Sequence, residues 1–127
     1  MGELVSVIIV NWNGRQHLET CLPAVLAQDY AAMQIIVIDN GSTDGTAESL
    51  RGLQVRCVTQ GNRGAGGGRN AGAGCASGEY LAFLDSDDFW FPWTLETFAA
   101  LIESHGRPAI LGAKLMSFSD ETEVKVI

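Results

Sequence analysis

The run Leu4-Val5-Ser6-Val7-Ile8-Ile9-Val10 offers a β-strand no face that prefers water. A strand turns successive residues to opposite faces, so a nearly unbroken β-branched apolar run needs cover on both sides. Gln34-Ile35-Ile36-Val37-Ile38, the short run Val55–Val58 and Tyr80-Leu81-Ala82-Phe83-Leu84 repeat that demand. Between the first two runs, Leu18, Cys21, Leu22, Val25 and Leu26 recur with the spacing of a helix's apolar stripe. Strands that need two covered faces, alternating with helices, imply an α/β chain with a mostly parallel sheet and helices on both faces.

The finer pattern supplies local expectations. Pro23 lies inside the first helical stripe and should kink or restart it. A second helix is expected from Asp44 to about Arg51, capped by Ser42 or Thr43. Residues 62–78 are glycine-rich and read as a loop running into a tightly packed helix that Gly78 ends. Pro92 suits the first turn of a helix reaching about Ser104, with Leu95, Phe98, Ala99 and Ile102 on one face. Ala109–Leu111, Lys114–Phe118 and the tail Thr122–Ile127 read as strands, with a turn at Ser119-Asp120-Glu121. The expected unit is residues 1–127, one domain or the N-terminal portion of a longer one.

A net charge of −7 argues against nucleic acid or an anionic membrane as the main partner, since both select clustered Lys and Arg. It leaves room for an anionic small molecule held through a cation. No apolar stretch reaches the length that spans a bilayer, and the N-terminus lacks the basic start of a secretory leader. The expected compartment is therefore cytoplasmic. Cys21, Cys57 and Cys75 form neither a zinc spacing nor a disulfide framework and are expected as buried free thiols.

In open α/β sheets, ligands bind outside the carboxyl ends of the strands. Here those ends hold Asn11, Trp12 and Asn13, then Asp39 and Asn40, then Asp85-Ser86-Asp87-Asp88. Three carboxylates within four residues repel one another and raise each other's pKa unless a cation sits among them. An all-oxygen donor set suits a hard divalent ion, Mg2+ or Mn2+, that also holds a diphosphate. The plain alternative is a solvated acidic turn before a helix. Asp39 likewise has a turn-forming alternative.

The segment Gly61-Asn62-Arg63-Gly64-Ala65-Gly66-Gly67-Gly68-Arg69-Asn70 could cradle phosphate with backbone N–H groups and two guanidiniums, or be a flexible surface loop. Gly66-Gly67-Gly68-Arg69-Asn70-Ala71 also fits the relaxed dinucleotide fingerprint, which would make the chain a dinucleotide-dependent oxidoreductase. That fingerprint belongs after the first strand, where this chain has Asn11-Trp12-Asn13-Gly14 instead.

Four blocks in order resemble the family 2 glycosyltransferases: Ser6 to Gly14, Ile35 to Thr46, Arg69-Asn70-Ala71-Gly72, and Gly78 to Asp88. The resemblance implies the Rossmann-like A-type glycosyltransferase fold. It implies a nucleotide-diphosphate-sugar donor, a saccharide or other hydroxyl acceptor, and transfer with inversion assisted by Mn2+ or Mg2+. It places Asp39 at the nucleotide base with Val10, Asn11 and Trp12, and Asp85 near the ribose or the metal-bound diphosphate. Asp87 and then Asp88 are the expected metal ligands, with Arg69 near the diphosphate. The family's general base and acceptor elements lie beyond the metal motif. Glu96, Glu103, Asp120, Glu121 and Glu123 follow it, and none stands in a matching context, so the catalytic base is unassigned. A chain of this extent could be inactive alone, and a non-catalytic nucleotide-sugar-binding module or truncated remnant is the alternative. The alternating tail at 124–127 would offer an exposed sheet edge and so self-association. Trp90 and Trp93 are expected to pack rather than to stack on a sugar.

Overall fold

The structure, a computed structural model, describes residues 2–112, 116–118 and 124–126. Four parallel strands form the main sheet: β1 (Val5–Asn11), β2 (Met33–Asp39), β3 (Arg56–Thr59) and β4 (Tyr80–Asp85), in the order β3-β2-β1-β4. Three helices make the crossovers: α1 (Arg15–Leu26), α2 (Thr46–Ser49) and α3 (Gly64–Cys75). A fourth, α4 (Thr94–Ser104), follows β4, and β5 (Met116–Phe118) pairs antiparallel with β6 (Val124–Val126) as a separate ribbon.

Both faces of β1 and β2 are covered, as their apolar runs require; β4 departs from that expectation, with Leu81 42 % and Phe83 47 % exposed on the face opposite Leu84. Val5, Val7 and Ile9 of β1, with Ile35 and Val37 of β2, pack under Leu18, Cys21, Leu22 and Val25 of α1 and Leu95 and Ala99 of α4. Ile8 and Val10 face the other way, toward α3. There a Cβ on Gly68 would lie 2.5 Å from Val10 Cγ1, and one on Gly72 would lie 2.3 Å from Ile8 Cγ2. The glycine-rich segment is therefore mostly helix, and two of its glycines let the helix backbone approach the sheet closely.

Several local expectations change. Pro23 is accommodated inside a continuous α1, which runs from Arg15 to Leu26 without a restart. The second helix shrinks to four residues, and neither Ser42 nor Thr43 caps it; Gly45, with φ of 80°, is its N-cap. Those two polar groups bond instead to the loop after β1. Gly78 does not end α3, which stops at Cys75. A Cβ on Gly78 would stand 2.5 Å from the Ser6 backbone nitrogen, so close approach to β1 is its requirement. Pro92 precedes α4 rather than lying in it, and Ala109–Leu111 is not a strand. The expected turn at Ser119–Glu121 lies outside the described residues.

The start of the sheet is tied to the end of α4 by Arg107. Its guanidinium lies 2.9 Å from Glu3, 2.8 Å from Glu103 and 3.1 Å from Glu79, and 5.5 Å from the Tyr80 ring centroid. This cluster sits at the amino ends of β1 and β4, opposite the strand exits.

Candidate functional site

The strand order makes one place special. The chain moves outward from β1 through β2 to β3, then α3 crosses the opposite face to deliver β4 on the other side of β1. Chains leaving β1 and β4 therefore diverge, and a crevice opens between their carboxyl ends. Register aligns the exits: Asn11 is level with Asp39, and Val10 is level with Asp85. Asp39 and Asp85 flank β1, two strand spacings or roughly 10 Å apart.

On the β4 side, Asp85, Asp87 and Asp88 are exposed, and each offers a carboxylate oxygen within 4.8 Å of the others. The turn is held by the Asp88 N–H donating to the Asp85 carbonyl at 3.0 Å. Asp85 accepts from Arg69 of α3 at 3.1 Å, a pair open to solvent on both sides. The Asp88 carboxyl is pushed above its ordinary value, first by partial loss of hydration and then by the negative charges of Asp87 and Asp85. Beneath the turn, the buried Cys21 thiol lies 3.9 Å from the Asp85 carbonyl. Burial, then the charges of Asp88, Asp87 and Asp85, push its pKa up to about 12. A thiol in that state is inert. Cys21 should stay unmodified by a maleimide at pH 8 in the native protein and react only after urea unfolding, as read by mass spectrometry.

On the β1 and β2 side, two loops are bonded together. Asn13, with φ of 49°, donates its N–H to Ser42 Oγ at 2.9 Å and accepts from the Thr43 N–H at 2.8 Å. Asp44 accepts from the Arg15 N–H at 3.0 Å. Asp39 accepts from the Ser42 N–H at 3.1 Å, so its turn role is real, and the residue is only 4 % exposed. Asn40 is a buried hub: it donates to the Gly64 carbonyl at 3.0 Å and accepts from Gln60 Nε2 and the Arg63 N–H. It thereby fixes the start of α3 to the exit of β2. Asn11 is 1 % exposed, and its amide orientation follows from the hydroxyls beside it. Thr46 Oγ1 gives its one proton to Asp44, so it must accept from Asn11 Nδ2, 3.2 Å away. Asn11 Oδ1 then faces the other way, buried and without a hydrogen-bond partner among the described residues.

The residues expected at the site thus fall into two groups. Asp85, Asp87 and Asp88 come together with Arg69 at one end. Asn11 and Asp39 lie buried side by side at the other, and Trp12, next in the chain after Asn11, is 59 % exposed. Val10 is half-buried between the two, against Gly68. Sequence reasoning missed the structural parts of Asn13, Asn40, Ser42 and Thr46, because each acts through partners 20 or more residues away in the chain. Gly66 to Ala71 lies within α3 rather than on a strand-to-helix turn, so the dinucleotide fingerprint lacks its structural setting. Trp90 packs against the core as expected; Trp93 does not, being 56 % exposed and stacked on Phe91 at 5.1 Å. Glu96 and Glu103 are exposed on α4, the latter bonded to Arg107.

Residues 6–126 match the sequence profile of glycosyl transferase family 2. The chain belongs to that family. An uncharacterised glycosyltransferase of Nostoc sp. (strain PCC 7120) is 37 % identical over 106 residues, which are 79 % of this chain and 33 % of that protein. The UDP-Glc:alpha-D-GlcNAc-diphosphoundecaprenol beta-1,3-glucosyltransferase WfaP of Escherichia coli is 37 % identical over 92 residues, covering 69 % of this chain and 37 % of WfaP. Among solved structures, TarS 1–349 of S. aureus in complex with UDP-GlcNAc superposes with a TM-score of 0.74 at 32 % identity, over 81 % of this chain and 32 % of that one. The mannosyltransferase PcManGT of Pyrobaculum calidifontis, in complex with GDP-Man and Mn2+, gives 0.63 at 26 % identity, over 71 % of this chain and 29 % of that one. The fold is thus the A-type glycosyltransferase fold, and the chain spans about a third of the length of these family 2 relatives. Among the described residues, no helix is long and apolar enough to cross a membrane.

Proposed function

We propose that residues 1–127 form the nucleotide-diphosphate-sugar-binding portion of an inverting, divalent-metal-assisted glycosyltransferase that acts on an acceptor hydroxyl in the cytoplasm. The observation that carries this reading is the set of three carboxylates, with ligand atoms within 4.8 Å, at the β1/β4 switch point beside Arg69. TarS with UDP-GlcNAc and PcManGT with GDP-Man and Mn2+ support it by likeness.

The donor set, three carboxylates with ligand oxygens within 4.8 Å of one another, fits a hard divalent ion in its chemistry. Asp87 and Asp88 would hold the ion, with Asp85 shared between ion and ribose and its partner Arg69 directed to the diphosphate. Bound there, the cation would neutralise the charge that the diphosphate gains as it leaves the sugar. Asp39 would accept from the base edge and Trp12 would stack on its face, with Val10 and Asn11 forming the wall behind. The hydrogen bonds that tie Asn13 to Ser42 and Thr43 would hold that end in place, which lowers the ordering cost of binding.

Melting temperature measured with UDP, GDP and dTDP, each with and without Mn2+ or Mg2+, tests the reading. A nucleotide at a hundred times its Kd with the ion should raise it by on the order of 10 °C. Unchanged melting with every nucleotide and both ions would sink the proposal. The Asp88 shift adds a pH dependence with a definite sign. A carboxyl held above its ordinary value keeps its proton to higher pH, and an ion must displace that proton. Mn2+ affinity should fall as pH drops through the acid range, with proton release on binding seen by calorimetry in two buffers of different ionisation heat.

A further inference from the structure

We propose that Asn11 and Ser86 are positioning residues that lock the nucleotide-side loop to the acidic turn, the Ser86 hydroxyl donating to Asn11 Oδ1 once cation and nucleotide diphosphate are bound. The inference rests on reading that turn as the cation and diphosphate grip. Asn11 Oδ1 is a buried acceptor with no partner among the described residues, on a side chain whose orientation Thr46 and Asp44 dictate. Such an oxygen has lost its hydration and gained nothing in return. Across from it, the Ser86 hydroxyl has no hydrogen-bond partner among the described residues. The two flank one point: a Cβ on Gly14 would lie 2.4 Å from Asn11 Oδ1 and 3.1 Å from Ser86 Oγ. Gly14 has an ordinary φ of −111°, so its lack of a side chain serves space rather than backbone conformation.

Donor and acceptor would meet if the turn shifted as a unit on binding the ion. Ser86 stands between Asp85 and Asp87, and the Asp88-to-Asp85 backbone bond makes the turn one unit. Any adjustment of the three carboxylates, whose oxygens lie within 4.8 Å of one another, around one ion would carry Ser86 with them. An unused hydroxyl then closes on an unused carboxamide oxygen, through the gap that Gly14 leaves. The nucleotide end and the metal end would thereby sense each other, and cation binding would tighten nucleotide binding beyond direct contact with the diphosphate.

The test is calorimetric titration of the full chain with UDP, with and without saturating Mn2+. The ratio of the two affinities is the coupling, which must be the same from either side. Ser86→Ala should cut that ratio by about tenfold while leaving UDP affinity without metal within about twofold. Ser86→Thr, which keeps a hydroxyl, should restore most of it. Ser86→Ala combined with Asn11→Ala should be no worse than Asn11→Ala alone; if Asn11→Ala does not fold, the Ser86→Ala and Ser86→Thr pair decides. A wild-type ratio retained in Ser86→Ala, or a ratio that Ser86→Thr fails to restore, overturns the lock and leaves the grip intact, as do additive losses in the double variant. A wild-type chain whose UDP affinity ignores Mn2+ overturns the grip itself, and the lock with it.

Discussion

Asp87→Asn should lower UDP affinity in the presence of Mn2+ by on the order of 100-fold, about 2.7 kcal/mol, while leaving the free protein no less stable. The two effects have one cause. Without an ion, Asp85, Asp87 and Asp88 crowd negative charge into one turn, and Asp88 is held above its ordinary value first by partial loss of hydration and then by the charges of Asp87 and Asp85. Removing one charge relieves that repulsion, so the melting temperature of the free chain should hold steady or rise slightly. With an ion, the same charge becomes a ligand, and an amide oxygen is a poorer donor to a hard dication. Asn matches Asp in shape and the position is exposed, so folding is not at risk. Titration calorimetry and a melting curve on the same preparation read both quantities. A variant that binds UDP with Mn2+ as well as the parent does would remove Asp87 from the ligand set.

Gly72→Ala and Gly74→Ala, two residues apart on α3, should change stability in opposite directions. Ala is favoured over Gly inside a helix by about 1 kcal/mol. At Gly74 no described atom beyond its chain neighbours and the helix's own backbone lies within 4 Å of the added carbon, so that gain should appear almost whole. At Gly72 the carbon would lie 2.3 Å from Ile8 Cγ2 and 3.3 Å from Ile8 Cβ, in the middle of a buried strand. Overpacking of this kind costs about 1–3 kcal/mol, enough to reverse the propensity gain. Urea titrations should therefore show a lower midpoint for Gly72→Ala and a higher one for Gly74→Ala. The displaced helix carries Arg69, so the first variant should also weaken UDP binding. Equal midpoints would mean that α3 does not press on β1 as described.

The elements that were legible in the sequence were those whose pattern is set locally. Residues 4–10 and 34–38 had to be doubly covered strands because no register of an apolar β-branched run presents a wet face. The α4 stripe was legible because Leu95, Ala99 and Ile102 recur at helical spacing, and the structure buries all three. The second helix misled for a physical reason. Ser42 and Thr43 are good caps, but better partners arrive from Asn13, about 30 residues away, and a glycine in the left-handed region starts the helix instead. The 62–78 stretch was legible as a loop running into a tightly packed helix, though not its end or its contacts: α3 stops at Cys75, and Gly68 and Gly72 are small because Val10 and Ile8 stand against them.

Sequence alone determined that this chain is an α/β unit with carboxylates and amides at its strand exits, since strand and helix periods are local and a polar residue after an apolar run marks an exit. Only the tertiary structure decided which exits meet. Strand order places β4 next to β1, and that adjacency sets Asp85 level with Val10 and Asn11 level with Asp39. It also brings Gly14 between Asn11 and Ser86 and pairs Arg69 with Asp85. These are contacts between residues far apart in the chain. They depend on where α3 crosses the sheet, and no local period encodes that.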